Sequence, residues 1–145
     1  MVRFKNRYLV LELVWKESKT NEPLDERALL SVFRESLQLN FGDHGLGQCF
    51  GSLQVKYMSP LTNTCVVRCS RDYHQQVWCA ITLITEINKR PVLLRLLKLS
   101  GTIQECREAT MDHVLRKLGE LEPRLRTEYA RCVETAKQKI TAIEL

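Results

Sequence analysis

The sequence predicts an α+β protein: a four-stranded sandwich in the order β-α-β-β-α-β, followed by two additional C-terminal helices. Three observations predict it. An almost unbroken apolar run, Tyr8-Leu9-Val10-Leu11-Glu12-Leu13-Val14-Trp15, opens the chain. Two short strand-like segments separated by a turn follow a helix-periodic stretch. Apolar spacings of three and four, the helical period, then return after residue 72 and after residue 102.

Each element follows from local pattern. The opening run reads as a central strand covered on at least one face. A polar loop, Lys16 to Glu22, leads to Pro23-Leu24-Asp25, which opens a helix with the stripe Leu29/Leu30, Phe33, Leu37. Gly42, Gly45 and Gly47 are expected to end it in a loop. Leu53 to Met58 alternates as a half-buried strand, Ser59 to Asn63 is a turn, and Thr64 to Cys69 completes a hairpin. Asp72 is the expected cap of a second helix with the stripe Val77, Ala80/Ile81, Ile84, Ile87. Pro91 starts a fourth strand-like run to Leu99. The third helix carries Ile103, Cys106, Met111, Val114/Leu115 and Leu118. Pro123 opens the last, with Leu125, Tyr129, Cys132/Val133, Ala136, Ile140 and Ile143. This order is the split β-α-β sandwich of ferredoxin-like and RNA-recognition-motif-like folds.

The 145 residues favour a single domain over 1–145. It divides into a basic segment 1–7, a sandwich core 8–100 and appended helices 101–145. Apolar residues make up 44%, enough to fold most of the length. The formal charge of +5 lies entirely in residues 1–100, with 14 basic and 9 acidic side chains; residues 101–145 carry 8 of each. An anion-binding face is therefore expected on the first two thirds. No apolar run approaches the ~18 residues of a membrane span. The start lacks a secretory stretch, and the six cysteines sit inside apolar patterns. Both point to an intracellular protein with reduced thiols and no membrane.

The first seven residues are the most suggestive local feature. Arg3, Lys5 and Arg7 are spaced two apart, so an extended backbone puts them on one face, with Phe4 and Tyr8 opposite. Such a ribbon suits a phosphate backbone. Lys56 and Arg68, close on the hairpin, extend the face. Lys98 and the turn Ser100-Gly101-Thr102 offer a charge and backbone amides to a phosphate at the third helix's start. Arg71, Lys89, Arg90 and Arg95 read more simply as surface charge. The third strand, Thr64-Cys65-Val66-Val67-Arg68-Cys69, lacks the stacking aromatics of RNA-recognition motifs, so binding through edges and the amino terminus is expected instead.

Other chemistry finds little support. Cys65, Cys69, His74 and Cys79 are near in sequence but contain no C-x-x-C pair, and the two strand cysteines share a face with Val67, a core pattern. Nothing places His44, His74 or His113 beside a cysteine with an orienting carboxylate. Phosphate-loop and nucleophile-elbow motifs are missing, and Gly42-Asp43-His44-Gly45-Leu46-Gly47 lacks a strand-to-helix context. No catalytic residue, metal ligand or cofactor site is expected in the polypeptide.

Four stretches carry a family resemblance. Met1-Val2-Arg3-Phe4-Lys5-Asn6-Arg7-Tyr8-Leu9-Val10 is the most specific. Leu24-Asp25-Glu26-Arg27, Val66-Val67-Arg68-Cys69 leading to Gln76-Val77-Trp78-Cys79-Ala80, and Ser100-Gly101-Thr102-Ile103-Gln104-Glu105-Cys106 follow in order. Over residues 1–118 the chain resembles the "processing of precursor" five family, the small subunits shared by ribonuclease P and ribonuclease MRP. The resemblance implies an RNA-recognition-like fold with extra helices and no catalysis by the protein. It implies that ribonuclease P RNA and ribonuclease MRP RNA are partners, with a barrel-shaped protein subunit of about thirty kilodaltons and other small subunits. Precursor tRNA would be met indirectly. The RNA, with its own Mg2+, would perform the hydrolysis that releases 5′ leaders from precursor tRNA, and the MRP form would act on precursor rRNA. A nuclear and nucleolar location follows. Arg3, Lys5, Arg7 and Tyr8 match the opening motif and would contact RNA; Arg68, Gly101 and Thr102 match less specific positions. Some relatives carry an acidic tail where this chain ends in a neutral amphipathic helix, so residues 119–145 inherit little. Two alternatives remain: a protein–protein adaptor of the same fold without RNA contact, and a small enzyme hydrolysing acyl phosphates.

Overall fold

The computed structural model describes residues 5–16, 24–59, 63–120, 134–135 and 137–143. Its elements are β1 (Asn6–Trp15), α1 (Glu26–Phe50), β2 (Gln54–Ser59), β3 (Thr64–Ser70), a 3₁₀ turn (Arg71–Tyr73), α2 (His74–Thr82), β4 (Glu86–Ile87), β5 (Arg90–Ser100) and α3 (Ile103–Glu120). The sheet is antiparallel in the order β2-β3-β1-β5-β4, so β1 is central, as its apolar run predicts. The expected β-α-β-β-α-β order is observed, with the two-residue β4 added beside β5.

Alternation along β1 sends its side chains to two separate cores. Leu9, Leu11 and Leu13 face α1 and α2, where they pack with Leu29, Phe33, Leu37, Cys65, Val67, Val77 and Ile81. Tyr8 and Val10 face the other way, onto Tyr57, Val66, Cys106 and Val114, with Ile140 and Ile143 from the C-terminal part. Each fully buried side chain of this kind contributes about 1.5–3 kcal/mol of transfer free energy. The sheet is thus covered on both faces.

Local chemistry sets the boundaries. Asp25 caps α1 by accepting the Ala28 N–H at 2.7 Å. Three expectations are corrected. The glycines do not end α1 in a loop: the chain bends at Gly42, in the left-handed region at φ 72°, and helix resumes through Gly45 and Gly47 to Phe50. Arg34 lies over the Phe50 ring at 4.1 Å, tying the second limb to the first. Asp72 does not cap α2, because the 3₁₀ turn places it within the entering turn, 3.8 Å from Arg71 Nε. Ile84 and Ile87 are buried, but past the end of α2 at Thr82, with Ile87 on β4.

Residues 137–141 are helical, and Ile140 and Ile143 are buried. The Arg107 guanidinium donates to the Ile143 carbonyl, fastening this part to α3. Pro123, Leu125, Tyr129, Cys132, Val133 and Ala136 of the expected last helix, and most of the Lys16–Glu22 loop, lie outside the described residues.

The bend at Gly42 yields a test. A Cβ at Gly45 would stand 2.4 Å from the Phe41 Cβ, an atom fixed to the helix backbone, whereas one at Gly47 meets open space. Gly45→Ala is expected to lose about 1–3 kcal/mol by overpacking. Gly47→Ala is expected to gain up to about 1 kcal/mol from helix propensity. Urea denaturation measures both, and equal losses would refute the steric reading.

Candidate nucleic-acid interface

One end of the sheet collects basic residues from three segments. β1 begins here and β3 and β5 finish here: Asn6 pairs with Ser70, Arg7 with Cys69, Tyr8 with Arg68 on one side and Ser100 on the other. The Arg71 N–H donates to the Lys5 carbonyl at 2.9 Å, holding the 3₁₀ turn to the strand's start. Lys5, Arg7, Arg68 and Arg71 are thereby brought to one edge of the molecule. Arg3 lies outside the described residues.

The individual residues differ in what they can touch. Lys5 is exposed. Arg7 is half-buried: its Nη1 donates to the Asn6 carbonyl at 3.0 Å, and its guanidinium lies across Gly101, 3.1 Å from where a Cβ would stand. A Cβ at Gly101 would press on the guanidinium, which would have to give by a few tenths of an ångström. Tyr8 is 1% exposed and packs in the second core, which leaves little of it for an RNA contact. Its hydroxyl is pushed above its ordinary pKa, chiefly by burial.

The turn into α3 is internally satisfied. The Thr102 N–H donates to Ser100 Oγ at 3.1 Å, the Glu105 N–H to Thr102 Oγ1 at 3.4 Å, and Ser100 Oγ donates to the Glu105 carboxylate at 2.8 Å. This is a variant of the capping box, with Glu105 reaching Ser100. The helix start already holds a carboxylate, so the amides of Thr102 and Glu105 are not offered to a phosphate. Lys98 is exposed on β5 opposite Val10, in a cleft of ≈ 490 Å³ against α3 that includes Glu105, Glu108 and Asp112. It is thus separated from the Lys5–Arg68 edge and faces acids. Lys56 is the extra residue of a bulge between Val55 and Tyr57, and Gln54 stands opposite Arg68 in its place.

A second feature lies beneath α3. Glu12, the one charged residue in the apolar run Tyr8–Trp15, is 3% exposed. Arg95 on β5 donates to its Oε2, Lys117 Nζ on α3 lies 2.8 Å from its Oε1, and His113 Nε2 lies 3.7 Å away. Burial alone would raise the Glu12 pKa, but hydrogen bonds from Lys117 and Arg95 hold it below the usual carboxylate range. His113 is held below its ordinary 6.5, first by burial, with the neighbouring cations adding to the effect and Glu12 opposing it. A lone glutamate in an apolar strand was the sequence signal for this cluster.

Among the described thiols, Cys49, Cys65, Cys69 and Cys106 are core groups and Cys79 is exposed. Burial pushes Cys69 to about 12 and Cys106 to about 11, and raises Cys49 and Cys65 as well. Such thiols are neither nucleophiles nor ready metal ligands. Among the described residues no group of three His, Cys, Asp or Glu is placed to hold a metal ion, and no helix is long and apolar enough to cross a membrane.

Sandwich, covered sheet faces and basic edge together define an α+β protein of the RNA-recognition-like fold class. Comparison with known proteins narrows this. A model described as the Rpp14/Pop5 family matches residues 7–111, and the chain belongs to that family. It is 39% identical over 150 residues to the probable ribonuclease P/MRP protein subunit POP5 of Arabidopsis thaliana, covering 99% of each chain. It is 36% identical over 121 residues to the ribonuclease P/MRP protein subunit POP5 of Schizosaccharomyces pombe, covering 77% of this chain and 87% of that one. Against the human subunit of that name the identity is 32% over 122 residues, covering 81% and 75%. A chain in a cryo-EM structure of yeast ribonuclease MRP shares the fold, with a TM-score of 0.60 at 12% identity and 99% coverage of both chains.

Proposed function

We propose that this chain is a protein subunit of ribonuclease P/MRP that grips the particle's RNA through the basic end of its sheet and performs no chemistry itself. Relatives bearing that subunit name over most of the chain support the first part. The observation that carries the second is the convergence of Lys5, Arg7, Arg68 and Arg71 where β1, β3 and the 3₁₀ turn meet. Stacking on the sheet is closed, because α3 and the C-terminal part cover the face that Tyr8 and Val10 share. What remains is contact with phosphates of a folded RNA. Such contacts neutralise backbone charge and reduce the Mg2+ that the RNA needs to reach its active shape. The RNA, with its Mg2+, would cleave precursor tRNA to release the 5′ leader, and the MRP form would process precursor rRNA. A barrel-shaped protein subunit and other small subunits complete the assembly, and its place is the nucleus and nucleolus.

Binding to ribonuclease P RNA should fall steeply with salt, since released counterions dominate such affinity. Replacing Arg3, Lys5 and Arg7 by Ala is expected to reduce the slope of log affinity against log salt by about 2–3, with the thermal melt unchanged. Filter binding across a salt series measures it. An unaltered slope would remove the basic edge from the interface. The adaptor reading is favoured by Trp78 on α2 and Leu83 just past its end, both apolar and exposed. If it holds, the wild type will show no salt-dependent RNA affinity at all.

A further inference from the structure

Beside the basic edge lies a cleft of ≈ 510 Å³ formed by Lys5, Asn6, Gln48, Gly51, Ser52, Arg68, Ser70 and Tyr73. These come from four places in the chain: the start of β1, the end of α1 with its following turn, the end of β3, and the 3₁₀ turn. Every polar side chain in this wall is neutral or cationic. That contrasts with the similar-sized cleft between β5 and α3, where Glu105, Glu108 and Asp112 face Lys98 and Arg116. Arg68, at the end of β3, lines the cleft and brings a guanidinium to it, and its buried Nε has no hydrogen-bond partner. Gly51 leaves open space where a side chain would stand.

The geometry points to this cleft as a receptor for one unpaired nucleotide of RNA, taken out of the stack. The inference rests on the proposed RNA-binding role. The volume falls within the range of about 300–1,000 Å³ typical of small-ligand sites. The chemistry is divided as a nucleotide is. Lys5 and Arg68 supply charge for the phosphate, with the Ser70 hydroxyl as a neutral donor. Asn6 and Gln48 carry amide groups, each both donor and acceptor, as reading a base edge requires. Tyr73 offers a ring on which a base can stack, a contact that any base can make. Gln48, Gly51 and Ser52 lie at the C-terminal end of α1, whose partial negative charge repels phosphate and favours a base amino group. The site therefore orients its ligand: phosphate toward Lys5 and Arg68, base toward α1. A duplex cannot enter, because a paired base is held in its stack.

The experiment uses the full-length chain and two probes, a mixed-sequence single-stranded RNA twelve-mer and a duplex of the same length, measured by fluorescence anisotropy. The variants Gln48→Leu and Tyr73→Leu leave the charge of the basic edge unchanged, and thermal melts check their folding. Each is expected to weaken single-strand binding about tenfold while changing duplex binding less than twofold. Titrating the 15N-labelled chain with nucleoside monophosphates should shift the side-chain amide signals of Asn6 and Gln48, whereas inorganic phosphate alone should not. If both variants bind the single strand as the wild type does, or if the two amide signals stay fixed with every nucleotide, the cleft proposal is overturned while the basic edge stands. If the wild type binds neither probe nor ribonuclease P RNA, the RNA-binding reading itself falls. Should either variant unfold, the amide titration on the wild type decides alone.

Discussion

Replacing Arg95 by Leu and Lys117 by Met together is expected to destabilise the protein by about 3 kcal/mol at neutral pH, because it strands a buried carboxylate. Glu12 lies under α3 with these two side chains on its oxygens. The cations are partly exposed and can turn to water, whereas Glu12 cannot. Removing the cations therefore hurts more than removing the anion. Glu12→Gln should lose only about 1 kcal/mol, near the net value of a typical hydrogen bond.

The pH dependence follows from the directions of the shifts. The Glu12 carboxyl is held below its usual range, so its contribution is present above that range and lost as pH falls through the folded-state value. His113 is held below 6.5, so the unfolded chain takes its proton first, and stability declines as pH falls below that ordinary value. Both effects make the wild type weaker in acid. The double variant's deficit should narrow there, since its stranded carboxylate takes up a proton. Urea denaturation from pH 7 to pH 4 measures this, and a double variant matching the wild type at pH 7 would show that the cluster does not hold α3 to the sheet.

Phe33→Ala is expected to be the most damaging single truncation in the helix layer, at about 3–5 kcal/mol. Phe33 is fully buried in α1 among the residues of the larger core. The cavity would open between α1 and the sheet, where the central strand limits collapse. Leu39→Ala, six residues along the same helix, should change stability by no more than about 0.5 kcal/mol, because Leu39 is 85% exposed. Equal losses from the two substitutions, read by chemical denaturation, would contradict the assignment of the buried face.

Leu39 also shows what could be read in advance. The stripe Leu29, Phe33, Leu37 was legible because side chains three and four apart share a face on any helix. The bend at Gly42 was not. A glycine run has the same composition whether it forms a loop or a hinge within a helix, and only packing beyond it keeps Gly45 and Gly47 helical. Lys5, Arg7 and Arg68 were legible as basic candidates. Asn6, Gln48, Ser52, Ser70 and Tyr73 were not, because they meet only when the ends of β1, α1 and β3 are brought together. The burial of Tyr8 was not legible either, since an aromatic beside a basic tail has no local mark of being covered by a helix that begins ninety-five positions later.

By itself, then, the sequence determined the order of the main strands and helices, the start of the first helix after Pro23-Leu24-Asp25, the central apolar strand and the charge asymmetry. All of these arise from contacts within a few residues, or from counts that no fold can change. Only the tertiary structure decided that α3 seals the second sheet face, that Glu12 is held by Arg95 and Lys117, and that a polar cleft opens at the basic end. Those outcomes depend on strand register and on which surface a distant helix covers, and both are set by burial shared across the whole chain.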